Sequence, residues 1–290
     1  MALVFGNSIN GEWVNSVSGK TFPSVNPANT DEEVARYQSS STEDVRHAFS
    51  AAASAQPGWA AMPAPNRGTI LSKAAEILEK RAEEVAVEMT REEGKTLPEA
   101  KGEVGRAINI FRYFGGEGAR LTGETVPSER EGVFAYTFRK PLGVVSLLTP
   151  WNFPIAIPAW KMAPALVSGN SVVIKPASVA PLCTVRLVES LHAAGLPKGV
   201  LNLVTGSGST IGDEMIGNAA VKAVSFTGSC GVGNGIQKKT VEKGIKTQLE
   251  MGGKNPTIVL RDADLNMATD IVINGAFFSR TDLLGQGTGN

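Results

Sequence analysis

Gly143-Val144-Val145-Ser146-Leu147-Leu148-Thr149-Pro150-Trp151-Asn152-Phe153-Pro154 is the stretch whose reading decides the fold. Its apolar run, 144–148, has the length of a buried strand, and Pro150 and Pro154 stiffen the loop that follows. The same arrangement then repeats. Apolar runs at 171–174, 200–204, 223–226, 246–249 and 257–260 read as further strands. The segments between them, roughly 155–167, 181–194, 209–217 and 231–243, read as helices, with a last helix at 265–278. Strand, helix, strand with short connections predicts an α/β fold, a parallel sheet wrapped by helices on both faces. In such sheets ligands sit at the carboxyl ends of the strands.

Upstream the period differs. Val4 to Val14 alternates weakly around Asn10-Gly11, a hairpin signal, and 34–37 reads as an edge strand. Ser41 resembles an N-cap before the stripe Val45, Ala48, Phe49 and Ala52, and Gln56-Pro57-Gly58 is expected to stop that helix. A second helix is expected over 66–93 with Gly94 as its stop, and a third over 97–115. Between 123 and 140, Val126, Val133, Phe134, Tyr136 and Phe138 favour strands. They predict a hairpin projecting from the helical layer, suited to oligomer contact or to cover by its own chain.

The 290 residues are 42% hydrophobic and 19% charged, enough for one large or two modest domains. Lys plus Arg and Asp plus Glu both total 28, so no global field draws nucleic acid, an anionic membrane or an acidic partner. A charged ligand must be bound locally. Cys183 and Cys230 lack metal spacing, and His47 and His192 lie far apart, so neither a metal site nor a disulfide framework is expected. With no leader-like start and no long unbroken apolar run, the sequence reads as soluble and cytoplasmic.

Each loop after a strand carries residues with chemical uses. The Asn152 amide suits an oxyanion or its own backbone, and the motif alone leaves both readings open. Lys175-Pro176-Ala177-Ser178 puts a cation and a hydroxyl where a nucleotide ribose would lie. Thr205-Gly206-Ser207-Gly208-Ser209-Thr210-Ile211-Gly212 is a glycine-rich turn opening a helix, without the usual dinucleotide spacing. Phe226-Thr227-Gly228-Ser229-Cys230-Gly231-Val232-Gly233 opens another, and its N–H groups with the Ser229 hydroxyl suit a pyrophosphate. Gln248-Leu249-Glu250-Met251-Gly252-Gly253-Lys254-Asn255-Pro256 then ends an extended run at Glu250, with glycines following. Alone, such a Glu is ordinarily solvated or paired with Lys254. Two glycine-rich helix starts after successive strands, and Glu250 after the next, favour a cofactor cleft.

Taken together, Thr149 to Pro154, Lys175 to Ser178, Phe226 to Ser229 and Leu249 to Lys254 resemble the NAD(P)-dependent aldehyde dehydrogenase superfamily, in order and spacing, up to Ser279. The Gln248 to Pro256 form is most similar to dehydrogenases of succinate semialdehyde and 2-oxoglutarate semialdehyde. The resemblance implies a Rossmann-like NAD(P)-binding domain over 1–122 and 141–250, a projecting hairpin over 123–140 that is a candidate oligomerisation element, and the start of a catalytic domain over 251–279. It implies a small aldehyde as substrate and homo-oligomers for full-length members.

The same resemblance implies roles. Glu250 matches the general base, Asn152 the amide that stabilises the oxyanion, and Lys161 a lysine near the cofactor ribose and proton path. Lys175 matches the ligand of the adenosine ribose and Ser229 that of the pyrophosphate, and Thr227 and Gly228 lie where the nicotinamide is held. Thr149, Pro150, Trp151, Asn152, Ser178, Gly208, Gly212, Phe226, Glu250 and Met251 complete the cofactor set. Ser178 stands where many NAD-specific members have a Glu that repels a 2′-phosphate, so NADP is expected to be accepted beside NAD.

The resemblance also implies a nucleophilic cysteine after Ser279, in a run like Gly-Gln-x-Cys. Residues 280–290 carry none and read as a non-family tail, rich in glycine and without an apolar period. Codons for Arg280-Thr281-Asp282-Leu283-Leu284 read one base later are compatible with Gly-Gln-Ile-Cys, and a pseudogene or unrelated ending competes with that frame shift. Two classes follow: an aldehyde dehydrogenase by descent, or a catalytically silent NAD(P)-binding fragment, which the missing thiol favours for this polypeptide. The apolar residues Leu265, Ala268, Ile271, Val272 and Phe277 of the last helix are expected to lie exposed.

Overall fold

In the computed structural model, which describes residues 3–254 and 256–277, the chain opens with β1 (Leu3–Phe5), β2 (Asn7–Ile9) and β3 (Glu12–Val14). Asn10 and Gly11 take left-handed φ of 53° and 75°, the two-residue turn that Asn-Gly favours, and join β2 to β3 antiparallel. β4 (Thr21–Asn26) and β5 (Asn29–Gln38) follow. β5 contains the expected edge strand at 34–37, but it lies between β1 and β4 in a three-stranded sheet and is not an edge.

The helical layer begins with α1 (Thr42–Ala61), capped by Ser41 and Asp44 in a reciprocal box. It does not stop at Pro57. The next turn carries Trp59, buried, with Nε1 donating to Leu166 O at 3.0 Å, and that anchoring offsets the bond proline cannot make. The single helix expected over 66–93 is two, α2 (Ala64–Lys80) and α3 (Ala82–Glu93), broken at Arg81, whose guanidinium is held by Glu84 and Glu189. Gly94 closes α3 with a φ of 88°, as the sequence predicts. α4 (Leu97–Glu117) crosses α2 closely, and β6 (Thr125–Val126) with β7 (Ala135–Tyr136) forms a short antiparallel hairpin. Its Phe134, Tyr136 and Phe138 rings are exposed and lie against one another.

The remaining elements alternate: β8 (Val144–Leu148), α5 (Ala156–Val167), β9 (Ser171–Lys175), α6 (Leu182–Ala193), β10 (Leu201–Leu203), α7 (Gly208–Gly217), β11 (Val221–Gly228), α8 (Cys230–Val241), β12 (Lys246–Met251) and α9 (Leu265–Phe277). The sheet order is β12-β11-β8-β9-β10-β2-β3. The first five strands are parallel, while β2 and β3 extend the sheet antiparallel, so it is mixed where an all-parallel sheet is expected. The expected strand at 257–260 is not formed, and Ile258, Val259 and Leu260 are exposed. Too few residues separate it from β12 for the chain to return parallel to the sheet, a crossover that needs about a dozen.

Strand parity divides the core in two. Val145, Leu147, Val172, Ile174, Leu201 and Leu203 face the layer of α2 to α6, whereas Val144, Leu148, Val173, Val204, Val224 and Phe226 face α1, α7 and α8. Among the described residues no helix is long and apolar enough to cross a membrane. In α9, Leu265, Ile271 and Val272 are exposed as expected and Ala268 is half-buried, while the Phe277 side chain lies outside the described set.

Candidate active site

At the carboxyl edge of the parallel strands α7 and α8 begin side by side, each with a serine N-cap. Ser207 Oγ accepts from Ser209 N–H at 3.3 Å and pairs with the Ser209 hydroxyl at 2.7 Å, while Ser229 Oγ accepts from Val232 N–H at 3.4 Å, leaving the Ser229 hydroxyl proton to donate elsewhere. Between the helices lies a groove of about 480 Å³ whose lining includes Thr149, Lys175, Gly208, Gly212, Phe226 and Lys239. A Cβ on Gly208, Gly212 or Gly235 would meet nothing within 4 Å, so the missing side chains are what keep the groove open. Thr149 Oγ1 is buried without a hydrogen-bond partner among the described residues. Lys175 Nζ donates to Pro176 O at 2.8 Å, and burial lowers its pKa to about 8. Open helix starts, a spare buried hydroxyl and an ammonium held by a carbonyl are a donor set that fits an adenosine diphosphate. Asp213, on the groove wall, is engaged by Lys239 at 2.6 Å.

The second part of the site lies on the opposite face of the sheet. Glu250, near the end of β12, accepts from the Thr227 hydroxyl at 3.0 Å and from Gln248 Nε2 at 2.7 Å. Lys161, buried on α5, reaches the same group, its Nζ donating to Ser225 Oγ at 2.8 Å and to Gln248 Oε1 at 3.1 Å. Burial lowers the Lys161 pKa to about 8, against the opposing pull of Glu250. Gln248 therefore connects an ammonium to the carboxylate. It was missed in the sequence, although residues two apart on a strand share a face and its parity with Glu250 was available. The group borders a cavity of about 430 Å³ between α5 and β12 that is lined in part by Trp160.

Asn152 is buried in the β8–α5 loop, and its carbonyl accepts from Lys95 Nζ at 2.8 Å. Several residues expected at the cofactor do not line the groove. Ser178 Oγ donates to Gly206 O at 2.9 Å, Gly228 is the residue at which a Cβ would press into the Phe226 ring at 2.5 Å, and Met251 lies against Gly233 of α8. Trp151 is exposed and Pro150 half-buried on the loop before Asn152. No group of three or more metal-ligating side chains occurs among the described residues.

The sequence profile of the aldehyde dehydrogenase family matches residues 13–282. This chain belongs to that family. The alpha-ketoglutaric semialdehyde dehydrogenase of Bacillus subtilis (strain 168) is 51% identical over 273 residues, covering 94% of this chain and 56% of the relative. The alpha-ketoglutarate semialdehyde dehydrogenase of Haloferax volcanii is 49% identical over 271 residues, with 93% and 56% covered. Among solved structures, betaine aldehyde dehydrogenase of Staphylococcus aureus in complex with NAD+ superposes with a TM-score of 0.92 at 37% identity, over 95% of this chain and 55% of that one. A 3,6-anhydro-L-galactose dehydrogenase in complex with NADP gives 0.89 at 36%, over 94% and 57%. This aldehyde dehydrogenase-family chain thus spans little more than half the length of the relatives it matches. The family match extends past Ser279, where the sequence resemblance ended, and the tail from Arg280 on, with its shifted-frame reading, lies outside the described residues.

Proposed function

We propose that this chain is the NAD(P)-binding part of a semialdehyde dehydrogenase, one that oxidises an aldehyde bearing a second acidic group to the carboxylic acid. The observation that carries the reading is the hydrogen-bonded series Lys161–Gln248–Glu250–Thr227 at the strand edge that also opens the groove between α7 and α8. NAD(P)+, held by Lys175, Thr149 and the two helix starts, supplies the hydride acceptor. Asn152 donates its amide to the substrate oxygen as charge develops there. Glu250, oriented by Thr227 and Gln248, takes the proton of the attacking thiol or water, and Lys161 holds charge and protons beside it. The similarity to the 2-oxoglutarate-semialdehyde relatives supports the substrate class, and the hairpin of β6 and β7 is the element we assign to oligomer contact.

NADP is accepted as well as NAD in this reading, because Ser178 is turned to the Gly206 carbonyl and brings no carboxylate beside Lys175. Calorimetric titration of the chain with both cofactors tests the reading. No binding of either would remove it, and NAD binding tighter by about tenfold, roughly 1.4 kcal/mol, would remove the cofactor clause.

A second reading, cofactor binding without turnover, follows from the cysteines present. Cys183 is buried in the core, where desolvation pushes its thiol well above the usual range, and Cys230 Sγ lies 3.1 Å from Gly252 O in the loop that opens α8. Neither is placed as the nucleophile, and in this reading the chain binds cofactor and is silent toward aldehyde. Aldehyde-dependent NAD(P)H formation by this chain alone decides it. Turnover above about a thousandth of a typical ~10 per second would refute silence.

A further inference from the structure

The loop that presents Asn152 is gripped from outside by a buried ion pair that no role above uses. Lys95 and Glu103, with side chains 3% and 2% exposed, meet at 2.5 Å between the end of α3 and the second turn of α4. Each group also holds backbone of the loop. Lys95 Nζ donates to Asn152 O at 2.8 Å and lies 4.4 Å over the Phe153 ring. Glu103 Oε1 accepts from Ile155 N–H at 3.1 Å and Ala156 N–H at 3.0 Å. Those are the opening amides of α5, a helix whose N-cap residue, Ile155, supplies no capping bond of its own. A carboxylate from a neighbouring helix therefore caps α5 and favours its positive end.

Buried ion pairs are a weak source of stability, since desolvation offsets their attraction. This one differs from a simple pair because its spare valences go to main-chain atoms on both sides of Phe153-Pro154. We infer that Lys95 and Glu103 are positioning residues, which fix the Asn152 amide at the β8–α5 turn and, through the start of α5, the axial position of Lys161. The role rests on the reading of Asn152 and Lys161 given above, whereas the clamp itself is independent of any cofactor.

The test is amide exchange and side-chain amide NMR on the full chain. In the unmodified protein Ile155 and Ala156 exchange at least tenfold more slowly than the first-turn amide of Glu43 in α1, although opening amides of helices are ordinarily poorly protected. Exchange as fast as that of Glu43 would overturn the clamp without any variant. In Lys95→Met the side-chain amide resonances of Asn152 shift, while those of Asn170, a buried Asn bonded to Leu142 and Gly143 N–H, stay in place. Glu103→Gln combined with Lys95→Met keeps exchange slow at Ile155 and Ala156, because the Gln oxygen still accepts, but leaves Asn152 displaced. Asn152 resonances unchanged in both variants would refute positioning. Failure of the cofactor titration refutes the functional reading and leaves these resonances interpretable.

Discussion

Gly212→Leu separates the stability of this fold from its use. Gly212 sits inside α7 with a helical φ, and a Cβ there enters open space in the groove. Replacing an interior helical glycine by a good helix former gains about 0.5–1 kcal/mol. With an unfolding entropy of about 2 cal/mol/K per residue, a chain this long changes by roughly 0.6 kcal/mol per degree, so Tm should rise by about 1–2 °C. The new side chain meanwhile fills part of the groove of about 480 Å³ beside Thr149 and Lys175. We expect NAD+ affinity to fall at least about tenfold, roughly 1.4 kcal/mol, measured by calorimetry alongside differential scanning calorimetry of the free protein. Retained affinity would refute the placement of the adenosine between α7 and α8. A lower Tm would show instead that α7 needs the glycine for packing, contrary to the open space at its Cβ.

Three further outcomes are expected. Gly68→Ala puts a Cβ 2.1 Å from Gly115 O where α2 and α4 cross, so it should destabilise by about 1–3 kcal/mol in urea unfolding, while Gly102→Ala, facing open space on α4, should not. Lys175→Met should weaken NAD(P)+ by about tenfold without lowering Tm, since it removes a buried charge as well as a ligand contact; unchanged affinity on titration would contradict its placement. Burial raises Glu92 and Glu93 from 4.5 to about 7, so the folded state binds their protons more tightly than the unfolded chain does. Their contribution is full below pH 4.5 and is lost as pH rises through about 7, so urea unfolding should show stability falling between roughly pH 4.5 and pH 7, and Glu92→Gln with Glu93→Gln should flatten that slope. Lys161 and Lys175 act with the opposite sign and in a separate window, between about 8 and 10.5, where rising pH stabilises.

How much of this was legible in the sequence depends on where each residue's partner lies. The strand–helix units from Val144 to Met251 are local patterns, and they were read nearly to their ends because parallel strands buried on both faces are continuous apolar runs between turns. Pro57 misled because the anchor that carries α1 past it, Trp59 on the Leu166 carbonyl, belongs to a contact more than a hundred residues away. The strand assigned to 257–260 shows the converse error: propensity was present, but the connection from β12 is too short for pairing. The same division runs through the site. Glu250, Asn152, Lys161 and Lys175 were proposed from loop chemistry and family likeness. What holds the Asn152 loop could not be found that way, because Lys95 reaches it from the turn between α3 and α4 and Glu103 from α4, each more than fifty residues away in sequence. The type of a candidate residue is thus written locally, whereas the hold on the Asn152 loop is supplied by long-range contacts. That is why substitutions at Lys95 and Glu103 test this site more sharply than another change at Glu250 would.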